Sequence, residues 1–101
     1  MKVIWSPLAV ERLWEIEQFL GDKNPAVALR TVAEIIEMGD SLVQMAKRGR
    51  SVPELGQDNV REVIVGSYRV VYMVNDDEQR VEIVTVVHGR QRFPTDLPPD
   101  R

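Results

Sequence analysis

The chain has no cysteine and a single histidine in 101 residues. Without thiols there is no disulfide framework, and with one imidazole no His/Cys metal cluster can be assembled and no serine–histidine–carboxylate arrangement is signalled. No metal and no cofactor is therefore expected. Long apolar runs are missing too: none approaches the roughly 18 residues of a membrane span, and the run behind Lys2 stops at Ser6-Pro7, too short for a signal peptide. These absences fit a cytoplasmic protein that avoids the membrane. Excess basic charge is also lacking, since 13 Lys and Arg against 16 Asp and Glu leave a net charge of −3. That sign argues against a protein that lives on a phosphate backbone or reads a nucleic-acid sequence directly.

The acidic excess is confined to the first half. Residues 1–46 hold four basic and seven acidic side chains, whereas residues 47–101 hold nine of each. Within the neutral half, Lys47-Arg48-Gly49-Arg50 and Arg90-Gln91-Arg92 are local basic spots able to touch an anionic partner, although such spots are ordinarily solvated loops.

What the chain does have is β-branched and aromatic residues concentrated in residues 61–90, which read as three strands. Gly66-Ser67 suits a two-residue hairpin turn that wants glycine first, and Asn75-Asp76-Asp77 suits a longer second turn. Counting by two, Tyr68, Val70, Tyr72 and Val74 point one way and Val71 and Met73 the other. Val81, Ile83 and Val87 likewise oppose Val84 and Val86. Both faces are apolar, so both need cover.

Ahead of this block, Lys2–Trp5 reads as a short strand, and Ser6-Pro7 as a helix start with serine as N-cap and proline in the first turn. The helix that follows sets Ala9, Leu13, Ile16 and Leu20 on one stripe and ends at Gly21. Asn24-Pro25 repeats the start signal for a second helix running to about Ala46, with Ala28, Val32, Ile35, Leu42 and Val43 as its stripe. The short connection makes the two an αα-hairpin. Residues 47–59 read as a loop, and residues 95–101 as a Pro-rich tail behind a single domain of residues 1–94. The expected fold is α+β, in the order strand, helix, helix, then a three-stranded antiparallel meander, with the helices on one sheet face. One hairpin covers one face. The other, carrying Val71, Met73, Val84 and Val86, is expected to be bare and to need a partner.

Candidate chemistry is sparse. Arg61, Arg69, His88, Arg90 and Arg92 stand at strand ends and in principle could stabilise a phosphate and move a proton. The structural alternative is as concrete. With Gly66-Ser67 as the turn, Ile64 lies opposite Arg69, so Glu62 is diagonal to it on the same face and can pair with it. A lone histidine at a strand end is commonly a hydrogen-bonded structural residue. Trp5 and Trp14 read as core or edge aromatics, and Tyr68 and Tyr72, with no interleaved basic stripe, as core rather than a base-stacking platform. The second turn leaves the register of His88 open: five residues put it on the face of Tyr72, four on the face of Arg69.

Taken in order, Trp5-Ser6-Pro7-Leu8-Ala9, Asn24-Pro25 with Ala28, Gly49-Arg50, Arg61-Glu62-Val63 with Tyr68-Arg69-Val70-Val71-Tyr72, and Val87-His88-Gly89-Arg90-Gln91 resemble the RelE/ParE superfamily of type II toxin–antitoxin toxins. The likeness is closer to its ParE branch. It implies a bacterial growth-arresting toxin neutralised by a cognate antitoxin, ParD-like or other, that covers apolar surface. ParE-like toxins act on DNA gyrase by protein contact, whereas RelE-like relatives are ribosome-dependent messenger RNA endoribonucleases. A ribonuclease needs a base, a phosphate-binding cation and an acid, commonly Arg, Lys, His, Glu and a late Tyr. Here residues 61–90 hold no Lys and no Tyr follows His88. The resemblance therefore implies a gyrase-directed toxin, with Arg61, Arg69, His88, Arg90 and Arg92 as its target surface. An endoribonuclease using Arg61, Arg69, His88 and Arg90, or a non-toxic antitoxin-binding relative, are the alternatives.

Overall fold

A computed structural model describes residues 1–94; the expected tail, residues 95–101, lies outside the described residues. The element order is β1 (Lys2–Trp5), α1 (Pro7–Gly21), α2 (Pro25–Asp40), a 3₁₀ turn over Ser41–Val43, β2 (Arg50–Ser51), β3 (Val60–Val65), β4 (Tyr68–Asn75) and β5 (Arg80–His88). The strands form one sheet in the order β1-β5-β4-β3-β2, antiparallel except that β1 runs parallel to β5 at the edge. The expected α+β architecture is present, with two differences. The loop expected over residues 47–59 contributes the two-residue strand β2, and the second helix stops at Asp40 rather than near Ala46. Val43, expected on its buried stripe, is consequently exposed.

Both helix starts are built as their residues dictate. The Ser6 hydroxyl accepts from the Ala9 N–H at 3.0 Å, and the Asn24 amide oxygen accepts from the N–H groups of Ala26 and Val27. The apolar stripes of α1 and α2 then lie on one sheet face, where Ala9, Ile16, Ile35 and Leu42 pack with Val63, Val65, Val70, Tyr72, Val81 and Ile83. Burying each large side chain of this set contributes roughly 1.5–3 kcal/mol. Gly39 is fixed by proximity, because a Cβ there would run into the Trp5 ring and Ile83. The other indole departs from expectation: Trp14 is 64% exposed.

The second sheet face is not bare. Val52 and Leu55 of the connector, together with Phe93, pack over Val60, Val71, Met73 and Val87. Val71 and Val84 are buried and Met73 is half-buried within the chain itself, which removes the predicted open face. Val86 does not lie on that face at all, for a reason found in the strand pairing. β4 and β5 run in register from Asn75–Arg80 to Tyr72–Ile83, then slip, so that Val71 faces Thr85 and Val84 is the extra residue of a β-bulge. Beyond the bulge the alternation inverts. Val86 joins Val81 and Ile83 beneath the helices, and Val87 moves to the second face, the reverse of a strict count by two. Ser6 braces the bulge, its hydroxyl donating to the Val84 carbonyl at 2.7 Å.

Candidate functional site

The same bulge decides where His88 goes. The second turn holds four residues, 76–79, yet His88 pairs with Tyr68 and shares the face of Tyr68 and Tyr72, because the extra residue reverses the parity that the turn alone would set. The first turn is as its sequence asks, with φ positive at Gly66 and not at Ser67. It brings Tyr68 beside His88, ring centroids 5.3 Å apart and nearly perpendicular. Together with Ile16 and Phe19 of α1 and Val86, they line a groove of about 360 Å³, rimmed by Arg12, Glu15 and Gln91. Phe19 is 59% exposed at its mouth. Arg12 is engaged by Glu15 at 2.8 Å. The imidazole Nδ1 accepts from the Arg90 N–H at 3.0 Å, which leaves Nε2 as the protonated nitrogen of the neutral ring and anchors the turn that carries Arg90 and Arg92 at the surface. Burial pushes the Tyr68 phenol above its ordinary range.

Arg69 lies on the opposite face and is not a surface residue. Its Nε donates to buried Glu62 at 2.6 Å, and its two terminal nitrogens donate to Glu54 at 2.7 and 2.9 Å. The guanidinium also stacks over Phe93, 4.7 Å from the ring centre. Glu62 receives a second cation, Arg50, at 2.8 Å. Glu54 is held at about 2, well below the usual carboxylate value of 4.5, first by its hydrogen bonds from Arg69; Arg69 in turn is pushed up, first by Glu54. The pairing with Glu62 follows from the hairpin register, in which Ile64 lies opposite Arg69. Glu54 and Phe93 were not foreseen, since neither sits in a segment with readable periodicity.

Arg61 stands at the far end of β3, opposite Tyr72. It donates to the Gly49 carbonyl at 2.8 Å, while the Gly49 N–H donates to the Tyr72 hydroxyl at 2.9 Å. Gly49 lies in the stretch expected to be a loop, and its lack of a side chain has a packing reason as well. A Cβ there would meet the Glu62 carbonyl and the Tyr72 hydroxyl, so glycine is what lets the connector dock on the sheet. The predicted set is thus dispersed: His88, Arg90 and Arg92 at one end near the α1 groove, Arg69 in an ion cluster behind the sheet, Arg61 at the opposite end. Among the described residues no group of three or more His, Cys, Asp or Glu is placed to hold a metal ion, and no helix is long and apolar enough to cross a membrane.

Comparison with known proteins places this arrangement in context. The chain is 31% identical over 96 residues to Y4kP of Sinorhizobium fredii, a protein named as a candidate toxin, with 92% of this chain and 93% of that one aligned. Its fold matches a structure of a chromosomal ParDE toxin–antitoxin system from P. aeruginosa with a TM-score of 0.73 at 22% identity, covering 87% of this chain and 95% of that one. It also matches the RelBE2 toxin–antitoxin complex of Mycobacterium tuberculosis with a TM-score of 0.63 at 22% identity, covering 86% and 95% of the two chains. Over residues 3–93 it fits the model of the ParE toxin of the type II toxin–antitoxin system parDE, and the chain belongs to that family.

Proposed function

We propose that this protein is a toxin held in check by a cognate, ParD-like antitoxin, and that it acts on DNA gyrase by protein contact rather than by cutting RNA. The same reading puts it in the cytoplasm. The observation that carries it is the dispersal of the charged groups. General acid–base cleavage of a phosphodiester needs a base, a cation and an acid converging within hydrogen-bond reach of one phosphate. Here Arg69 is committed to Glu54 and Glu62 behind the sheet, and Arg61 is engaged with Gly49 at the other end from His88. A contact surface has no such requirement. The groove of Ile16, Phe19, Tyr68 and Val86, with Gln91 on its rim and exposed Arg90 held next to His88, offers an apolar slot with a basic neighbour, suited to a protein surface.

The test is a gyrase supercoiling and DNA-cleavage assay with the purified chain, with and without the antitoxin encoded beside it, run alongside cleavage of messenger RNA on ribosomes. Trapped, cleaved DNA that disappears on adding antitoxin supports the proposal. Messenger cleavage with gyrase untouched overturns it in favour of a ribonuclease, and silence in both assays overturns it in favour of a non-toxic antitoxin-binding relative.

A further inference from the structure

β5 ends in a turn tied down by three backbone donors. The Gly89 N–H donates to the Ser67 carbonyl at 2.7 Å, the Gln91 N–H to the His88 carbonyl at 2.9 Å, and the Arg90 N–H to the His88 Nδ1 at 3.0 Å. The last is the bond that an asparagine side chain makes to the backbone two residues on in an Asx turn, made here by an imidazole. Two of these acceptors are carbonyls, which are indifferent to pH. The third takes up a proton between about pH 5 and 8, and a protonated imidazole carries donors on both nitrogens and has no acceptor. Its Nδ1–H then faces the Arg90 N–H, donor against donor.

The surroundings of the ring do not change charge with it. The Tyr68 ring of β4 packs against the imidazole with centroids 5.3 Å apart, and burial pushes its phenol further up. Across the groove α1 presents Arg12 and Glu15, bound to each other at 2.8 Å; Gln91 on the rim is neutral, and Arg90 itself is exposed. By type, a guanidinium, a phenol and a carboxylate exchange protons outside the range of an imidazole. We propose that His88 is a proton-operated catch: neutral, it fixes the turn that presents Arg90 beside the groove, and protonated, it releases that turn. His88 is then a positioning residue for Arg90, not a catalytic one. The consequence for toxicity, a contact surface that loosens as pH falls, rests on the reading of this groove as the gyrase-facing surface. The catch itself does not, and it is tested on the chain alone so that the two can fail separately.

The test is nitrogen NMR of the full chain between about pH 8 and 5, following the His88 ring and the Gly89 and Arg90 amides. At the upper end the ring is expected as the tautomer with Nε2 protonated and Nδ1 bare, and the Arg90 amide should be protected from exchange relative to an unfolded chain at the same pH. As pH falls, the Arg90 resonance should move with the midpoint of the ring and its protection should drop at least fivefold, while Gly89, bonded to a carbonyl, stays protected. His88→Asn puts an amide oxygen where Nδ1 stands, and that oxygen takes no proton, so Arg90 should stay protected at both ends of the range. His88→Gln sets its amide one bond further out and should leave Arg90 unprotected at both ends. An Arg90 amide that ignores the titration of the ring, the opposite tautomer at the upper end, or a His88→Asn chain that loses protection with the parent's midpoint would each overturn the inference. The first two are read on the unmodified chain, so they decide the matter even if a variant does not fold.

Discussion

At the scale of single residues, the buried pair Glu62–Arg69 matters most to the fold. Glu62 is 1% exposed and Arg69 8%, so removing either partner leaves a charge with too few counter-groups in a place water does not reach. Arg69→Ala is expected to cost about 3–5 kcal/mol in denaturant unfolding. Arg69→Lys should recover little of this, because one ammonium cannot span Glu62 and both oxygens of Glu54 as the planar guanidinium does. Glu54 adds a pH signature. Its carboxyl is held down to about 2 in the folded chain, so the stability it contributes is fully present above the unfolded value of 4.5 and is lost as pH falls through about 2. Unfolding measured for the protein and for Glu54→Gln should therefore differ at pH 6 and converge toward pH 2; a constant gap would show that Glu54 acts by packing. Half of this cluster was legible in the chain. A two-residue turn fixes which strand residues are diagonal, which is why Glu62 and Arg69 could be paired from sequence. The connector has no period, so nothing in it pointed to Glu54.

At the scale of elements, the bulge at Val84 is the feature on which the site turns. Helix starts were readable because Ser6-Pro7 and Asn24-Pro25 each combine a side-chain acceptor with a residue that needs no backbone donor. The phase of β5 was not, because valines on both faces give no polar marker to show which way each points, and an inserted residue leaves no trace in such a run. That is also why the second face seemed bare: its cover comes from Val52, Leu55 and Phe93, three separated apolar residues in segments that read as loop and chain end. Deleting Val84 should remove the bulge and leave its neighbours on their present faces, since Ile83 opposite Tyr72 and Thr85 opposite Val71 then follow one another in strict alternation, with Val86 and His88 still on the helix face. The expected result is a cooperative melt with the Tyr68–His88 ring contact retained in aromatic NMR spectra; loss of that contact would show that the extra residue is not what sets the phase. Ser6→Ala tests the brace alone. It removes both the cap on Ala9 and the donor to the Val84 carbonyl, and about 1–3 kcal/mol of stability should go with them while the fold persists.

At the scale of the whole molecule, the sheet separates residues that hold the fold from residues free to meet a partner. Arg69 and Glu62 are on one side, buried; His88, Arg90 and the Phe19 groove are on the other, with Arg90 exposed. A loss of toxicity can then arise in two ways that temperature distinguishes. Arg90→Ala touches no buried group, so its unfolding free energy should stay within about 0.5 kcal/mol of the parent, and any deficit in the proposed action on gyrase should be the same at 20 °C and 37 °C. Arg69→Ala should act only through the folded fraction. Its deficit should be large at 37 °C, where a chain of ordinary stability loses much of its margin, and should fade at 20 °C where the variant refolds. If Arg69→Ala is inactive at 20 °C while its circular dichroism matches the parent, Arg69 belongs to the contact surface after all, and the division of labour between the two faces fails.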